Sequence, residues 1–216
     1  MKTGIIGSAS VGQTLAKAFS QEGYEVMLGT RNTSKPEVVQ FAKDNPNIKI
    51  GTFTETADFG NILVLAVGGN VAEEAMHDAG LQNFKNKIVV DVTNPIAKEA
   101  PINGVLKFFT DINFSLMEKL QQLAPEAKFV KAFNSVGSPL MYKPDFDSTK
   151  PTMFIAGNDN EAKATVTNIL DAFGWETADM GTAEAARAIE PLCILWCISG
   201  FTKNDWAGHA FKLLQK

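Results

Sequence analysis

A chain of 216 residues that is 45% hydrophobic and 20% charged has ordinary globular composition and enough apolar material for one sizeable core. With 20 Lys+Arg against 24 Asp+Glu the formal charge is -4, so no basic excess is available to neutralise a phosphate backbone or an anionic bilayer, and nucleic-acid and membrane partners are not expected. The opening Met1-Lys2-Thr3-Gly4-Ile5-Ile6 is too short an apolar run for a signal segment, and no later stretch is read as approaching a membrane span. Cys193 and Cys197 are the only cysteines and read as buried thiols, not as a zinc site or a disulfide framework, so a cytoplasmic protein is expected.

Short runs rich in Val and Ile alternate with segments of helical period, the mark of crossover units on a parallel sheet. Eight strands are predicted, at residues 3–6, 24–29, 48–51, 62–67, 88–92, 129–133, 152–156 and 175–179. Several are apolar nearly throughout, as strands covered on both faces should be. Val11, Leu15, Ala18 and Phe19 form one helical face after the first strand. Ser115 with Glu118 signals the start of a helix reaching Leu123. Ala162, Val166, Ile169, Leu170 and Phe173 form another face, with Asn158 and Glu161 as its capping box and Gly174 as a left-handed stop. Beyond Gly181 the pattern stays helical, with a break expected at Ser199-Gly200 and a last amphipathic helix carrying Trp206, Phe211 and Leu214. The plan is α/β: a Rossmann-type, doubly wound, mainly parallel sheet with a small C-terminal helical cap. Residues 1–136 are expected to form the dinucleotide-binding domain, with 137–216 as a sheet extension and C-terminal helices packed with it as one unit.

Directly after the first strand stands Gly7-Ser8-Ala9-Ser10-Val11-Gly12, leading into the first helix. This is the dinucleotide fingerprint with Ala9 at the second glycine: Gly7 permits the tight turn, Gly12 lets helix and strand pack closely, and the helix N-terminus offers N–H groups to a pyrophosphate. At the end of the second strand, where an NAD enzyme wants a carboxylate for the ribose hydroxyls, the chain has Gly29-Thr30-Arg31-Asn32. A hydroxyl and a guanidinium suit a 2'-phosphate, with Lys35 as a further cation, so NADP(H) is the expected cofactor.

Ligands in such folds lie outside the carboxyl ends of the strands, which makes Val67-Gly68-Gly69-Asn70, Thr93-Asn94-Pro95 and Asn134-Ser135-Val136 the next candidates. Amides and small residues there can admit a ribose and bond a nicotinamide carboxamide, although Thr93-Asn94-Pro95 also reads as plain turn chemistry. Asn134 and Ser135 are taken as the residues nearest the chemistry. Neither Tyr24 nor Tyr142 has a Lys four residues on, so the Tyr/Lys pair of short-chain dehydrogenases is missing, and His77 on an amphipathic helix reads as solvated. Hydride transfer between two ring cofactors fits this poverty of acids and bases, because the cofactors carry the organic chemistry.

Taken together, the stretches Gly7 to Gly12, Gly29 to Asn32, Val90-Asp91-Val92-Thr93-Asn94-Pro95 and Val130-Lys131-Ala132-Phe133-Asn134-Ser135 resemble the NADP oxidoreductases that pass hydride to the deazaflavin coenzyme F-420. They are also similar to the cytosolic domain of the six-transmembrane metalloreductases. Pro151 to Gly157, Phe173-Gly174-Trp175 and Ala186 to Leu192 look like the family's second half, so the resemblance covers nearly the whole chain. It implies Ser8, Ala9, Ser10 and Val11 at the pyrophosphate, Thr30 and Arg31 at the 2'-phosphate, and Asn94, Asn134 and Ser135 at the nicotinamide end. There are two departures, Ala9 for a usual glycine and Asn134 where archaeal members carry His; the second places the chain nearer the metalloreductase-like branch, whose acceptor is a flavin. The expected acceptors are therefore F-420, FMN or FAD, with an imine or pyrroline-carboxylate reductase and a non-catalytic NADP(H)-sensing module as alternatives. No metal site is expected. A homodimer closed by Leu192, Leu195, Trp196 and Phe201 is expected from their apolar surplus.

Overall fold

The computed structural model describes all residues, 1–216. Six parallel strands, β1 (Lys2–Ile6), β2 (Glu25–Gly29), β3 (Ile48–Gly51), β4 (Ile62–Leu65), β5 (Ile88–Asp91) and β6 (Lys128–Lys131), hydrogen-bond in the order β3-β2-β1-β4-β5-β6. The order reverses between β1 and β4, which opens the crevice where doubly wound sheets take their ligands. Ile5, Ile6, Leu63, Val64, Val89 and Val90 are fully buried, in keeping with strands covered on both faces. Three strands are shorter than their apolar runs suggest: β4 stops at Leu65, β5 at Asp91 and β6 at Lys131. Past those points the backbone turns away to form the site.

The crossovers are α1 (Ser10–Gln21), α2 (Pro36–Asp44), α3 (Phe53–Phe59), α4 (Ala72–Ala79) and α5 (Leu116–Leu123). Helix α1 buries Leu15, Ala18 and Phe19 as its spacing predicts, and α5 opens on the capping box of Ser115 and Glu118. Strands β7 (Thr152–Ile155) and β8 (Glu176–Asp179) form a separate two-stranded parallel sheet joined through α6 (Asn160–Ala172). The Lys131 N–H donates to the Ala156 carbonyl at 2.9 Å in an antiparallel bridge, and Phe19, Phe133, Phe173 and Trp175 share one core. The C-terminal third is thus continuous with the Rossmann core.

Four details correct the sequence reading. The cap of α6 is Asp159, whose carboxylate accepts the Ala162 N–H at 2.8 Å, while Asn158 accepts the Ala183 N–H at 2.9 Å and ties two loops together. After α7 (Ala186–Ile189), α8 (Leu192–Lys203) runs unbroken through Ser199-Gly200. Gly200 is kept small by the Trp206 ring against it, and the helix ends instead at left-handed Asn204, with φ 55°. The last amphipathic helix does not form: the Thr152 N–H at the free edge of β7 donates to the Phe211 carbonyl at 2.8 Å, so the tail lies extended where it satisfies an edge strand. Finally, Ala183–Lys203 is, by length and composition, apolar enough to cross a membrane. Here it lies along the domain with Ala186, Ile189, Cys193 and Trp196 buried in the fold, while Cys197 is only half-buried.

Candidate functional site

The cleft at the β1–α1 turn has a volume of about 390 Å³ and is lined by Gly7, Ser8, Ala9, Ser10, Thr30, Arg31, Lys35, Val67 and Gly68. Gly7 adopts φ 125°, and a Cβ on it would strike the Ala66 carbonyl; a Cβ on Gly12 would strike the Gly7 carbonyl. Neither position tolerates a side chain, which is why the fingerprint needs them. The N-cap of α1 is Ala9, so no side chain takes the helix's first N–H groups, and no acidic residue sits in its first turn. Those donors and the positive end of the dipole are left for an anion. Val11 is half-buried and Gly12 buried on the helix itself, behind the lining.

At the end of β2, buried Thr30 accepts the Asn32 N–H at 3.3 Å, and Asn32 Oδ1 accepts the Ser34 N–H at 2.9 Å. This turn projects Arg31 and Lys35 into the cleft mouth and leaves Asn32 as scaffold outside the lining. The opposite wall, α4, supplies Glu74 and Asp78, and Glu37 joins them from α2. Arg31 Nη1 lies 3.5 Å from Glu74 Oε1, both side chains well exposed. These acids, together with Gln13, Phe53, Val71 and Ala75, are lining residues that sequence reasoning missed. The four-residue spacing of Glu74 and Asp78 on one helical face was the available signal.

The nicotinamide-end candidates Asn94, Pro95, Asn134 and Ser135 are not among the residues that line this cleft. Phe133, at 1% exposure, adopts φ 60°, an unusual conformation for a bulky residue, and swings the chain after β6 toward the end of β5. Asn94 Nδ2 donates to the Asn134 carbonyl at 2.7 Å, while Asn134 Nδ2 donates to Asn94 Oδ1 at 3.2 Å and to the Ile189 carbonyl at 3.0 Å. These contacts fix which side of the Asn134 amide is oxygen, and that Oδ1 is buried without a partner. Asn94 is half-buried, whereas Pro95, Asn134 and Ser135 are buried, and Gly69 follows the cleft-lining Gly68 with its backbone against the Asn94 carbonyl.

Beneath this pair lies a charge cluster. The Lys131 ammonium, fully buried, sits 2.7 Å from Asp91 Oδ2 and 3.0 Å from Glu190 Oε1 and donates to the Thr93 carbonyl at 2.8 Å. The Asp91 contact is ionic rather than a well-aligned hydrogen bond. Asp91 Oδ1 accepts the Thr93 N–H and hydroxyl, and Glu190 accepts the Leu116 and Met117 N–H groups at the start of α5. Burial by itself would push the ammonium down, but Asp91 and then Glu190 outweigh it and hold it above the ordinary lysine value. The cluster thereby fastens the Thr93-Asn94 turn to β6, α5 and the segment after α7.

Comparison with known proteins agrees with this geometry. The sequence profile of the family described as NADP oxidoreductase, coenzyme F420-dependent, matches residues 2–95. Metalloreductase STEAP3 of Rattus norvegicus is 29% identical over 195 residues, covering 88% of this chain and 36% of that protein, so the chain spans about a third of the curated metalloreductases it matches. An imine reductase of Myxococcus stipitatus solved with NADP+ shares the fold, with TM-score 0.66 and 15% identity over 94% of this chain and 63% of that one. A crystal structure assigned as an F420-dependent NADP-reductase of Arthrobacter sp. FB24 superposes with TM-score 0.92 and 30% identity over 100% of both chains. On that full-length match, the chain belongs to the family of coenzyme F420-dependent NADP oxidoreductases.

Proposed function

We propose that this chain binds NADPH along the cleft and passes its hydride to a flavin or to the deazaflavin F-420. The observation that carries the reading is the pairing of an uncapped, acid-free α1 N-terminus with Thr30, Arg31 and Lys35 where an NAD enzyme would place a carboxylate. Bound NADPH supplies a hydride, one proton with two electrons, and the reduced acceptor completes its valence with a proton from water. The protein's part is to hold and exclude. Gly7 and Gly12 let the backbone close on the pyrophosphate, Arg31 and Lys35 hold the 2'-phosphate, and Asn134 Oδ1, a buried acceptor without a donor, takes a carboxamide N–H. Steady-state loss of reduced-nicotinamide absorbance with F-420, FMN and FAD in turn tests the reading. Oxidation of NADPH by a cyclic imine but by none of these would replace it.

Asn134→Leu keeps similar bulk but removes the carboxamide contact. The single-turnover transfer rate should fall by about ten-fold or more while NADPH affinity changes far less, since the phosphate contacts remain. A lower melting temperature with an unchanged transfer rate would show that Asn134 only shapes the loop.

A homodimer is also proposed, with its face moved from the sequence expectation. Trp196 leaves the set, because it is buried and its Nε1–H donates to the His209 carbonyl at 2.9 Å. Leu195 and Phe201, 56% and 44% exposed, remain with half-buried Leu192, and Ile102 and Val105 extend the apolar surface from the adjacent loop, where Gly104 packs on Phe201 and Thr202. Sedimentation should give a dimer at micromolar concentration; monomer alone would contradict it.

A further inference from the structure

A second depression, of about 550 Å³, lies across the Gly69–Val71 turn from the cofactor cleft. Gly69 and Asn70 line it, and the contact of Gly69 with the Asn94 carbonyl fixes it at the carboxyl edge of β4 and β5, beside the proposed nicotinamide end. Its other side is an arm that follows β5. Ile96 pairs antiparallel with Phe108, the Ala97 N–H donates to the Lys107 carbonyl at 2.9 Å, and the Phe109 N–H donates to the Pro95 carbonyl at 2.9 Å. This pairing sets Lys107 opposite Ala97, and Lys98 and Lys107 both line the depression.

The lining divides by chemistry. Ile96, Phe108 and Phe109 offer apolar and aromatic surface, with Phe109 45% exposed. Of three lysines, Lys119 is taken by Glu73 at 2.7 Å, whereas Lys98 and Lys107, both exposed, make no ion pair; Glu99, likewise exposed and in no ion pair, also lines the depression, which leaves its lysines one charge in excess of its acids. In a chain of net charge -4, two unpaired cations lining one depression with exposed aromatic surface, next to the proposed nicotinamide end, complement a planar ring that carries an anion on a flexible chain.

Resting on the hydride-transfer reading above, we propose that this depression is the acceptor's anion subsite. Lys98 and Lys107 receive the phosphate on the side chain of a tricyclic acceptor, whether FMN or the phosphate-bearing deazaflavin, while Ile96, Phe108 and Phe109 cover part of its ring or chain. The subsite selects phosphorylated over neutral flavins.

The test is equilibrium binding, read by acceptor fluorescence, of FMN, riboflavin and F-420 to the full chain saturated with NADP+. In low salt FMN should bind about five-fold or more tightly than riboflavin, and the preference should shrink as salt is added. The double variant Lys98→Ala with Lys107→Ala should bring FMN and F-420 down to the riboflavin level without changing NADP+ affinity. Lys119→Ala, whose charge is already engaged, should have a smaller effect. Equal binding of FMN and riboflavin, a preference that survives the double variant, or no binding of any of the three overturns the subsite. Reduction of FMN by NADPH without the preference would defeat the subsite and leave the hydride reading standing, whereas the preference without reduction of any acceptor would do the opposite.

Discussion

Lys131→Met should destabilise the fold by about 3–5 kcal/mol, because it leaves Asp91 and Glu190 as buried carboxylates without their cation. Removing one member of a buried ion cluster is costlier than the cluster's net worth, since the ammonium offsets a desolvation penalty that the two acids cannot escape. The effect should also be local to the site. Loss of the bond to the Thr93 carbonyl frees the turn that carries Asn94, so a folded variant should bind the phosphate end normally but transfer hydride more slowly. The pH dependence has a definite sign. A lysine whose native pKa is raised contributes fully below its ordinary value of 10.5, and the contribution fades only as pH climbs through the raised native value. The Lys131 contribution is therefore constant through the neutral range. Urea unfolding of parent and variant checks the magnitude; a loss below about 1 kcal/mol would mean that water or rearrangement relieves the two acids.

Arg31→Asp should abolish the preference for NADPH over NADH. A charge-assisted hydrogen bond to the 2'-phosphate is worth about 1.5–3 kcal/mol, roughly ten- to one-hundred-fold in affinity, before repulsion from the new carboxylate is added. That repulsion acts in a mouth already lined by Glu37, Glu74 and Asp78, with Lys35 as the one remaining cation of the lining. NADH, which lacks the phosphate, should lose far less. The present partner of Arg31 does not weaken the expectation, because an exposed ion pair at 3.5 Å holds the side chain by well under 1 kcal/mol. Parallel titrations of the two nucleotides decide it; unchanged relative affinities would reduce Arg31 to a surface charge.

The parts of this molecule that were legible in the sequence are those set by local rules. Runs bearing Val or Ile marked β1 to β7, Gly7 and Gly12 marked the tight turn between β1 and α1, and the Ser115–Glu118 pair marked the start of α5. The parts that were not legible depend on distant partners. Phe211 belongs to an extended tail because the Thr152 N–H at an edge strand needs an acceptor, and no periodicity in 206–216 announces that. Trp196 looked like surplus surface and is core, since the chain after Asn204 folds back to give its indole a carbonyl. Lys131 within an apolar strand gave no hint that Asp91 and Glu190, 40 and 59 positions away, would meet it. Glu74 and Asp78 line the cleft with Arg31 only because α4, which follows β4, packs beside α3 across the cleft from the end of β2.

The central claim, that NADPH held in this cleft gives up its hydride, is tested most directly with NADPH deuterated at one or the other face of its nicotinamide. The labelled nucleotide is mixed anaerobically with the full chain and F-420, FMN or FAD, and acceptor bleaching is followed in a single turnover. An ordered ring held by the Asn94 and Asn134 pair predicts that bleaching slows for one label and not for the other, because only one face meets the acceptor. NADPH that binds tightly yet bleaches none of the three acceptors, or bleaching with no difference between the two labels, would contradict it.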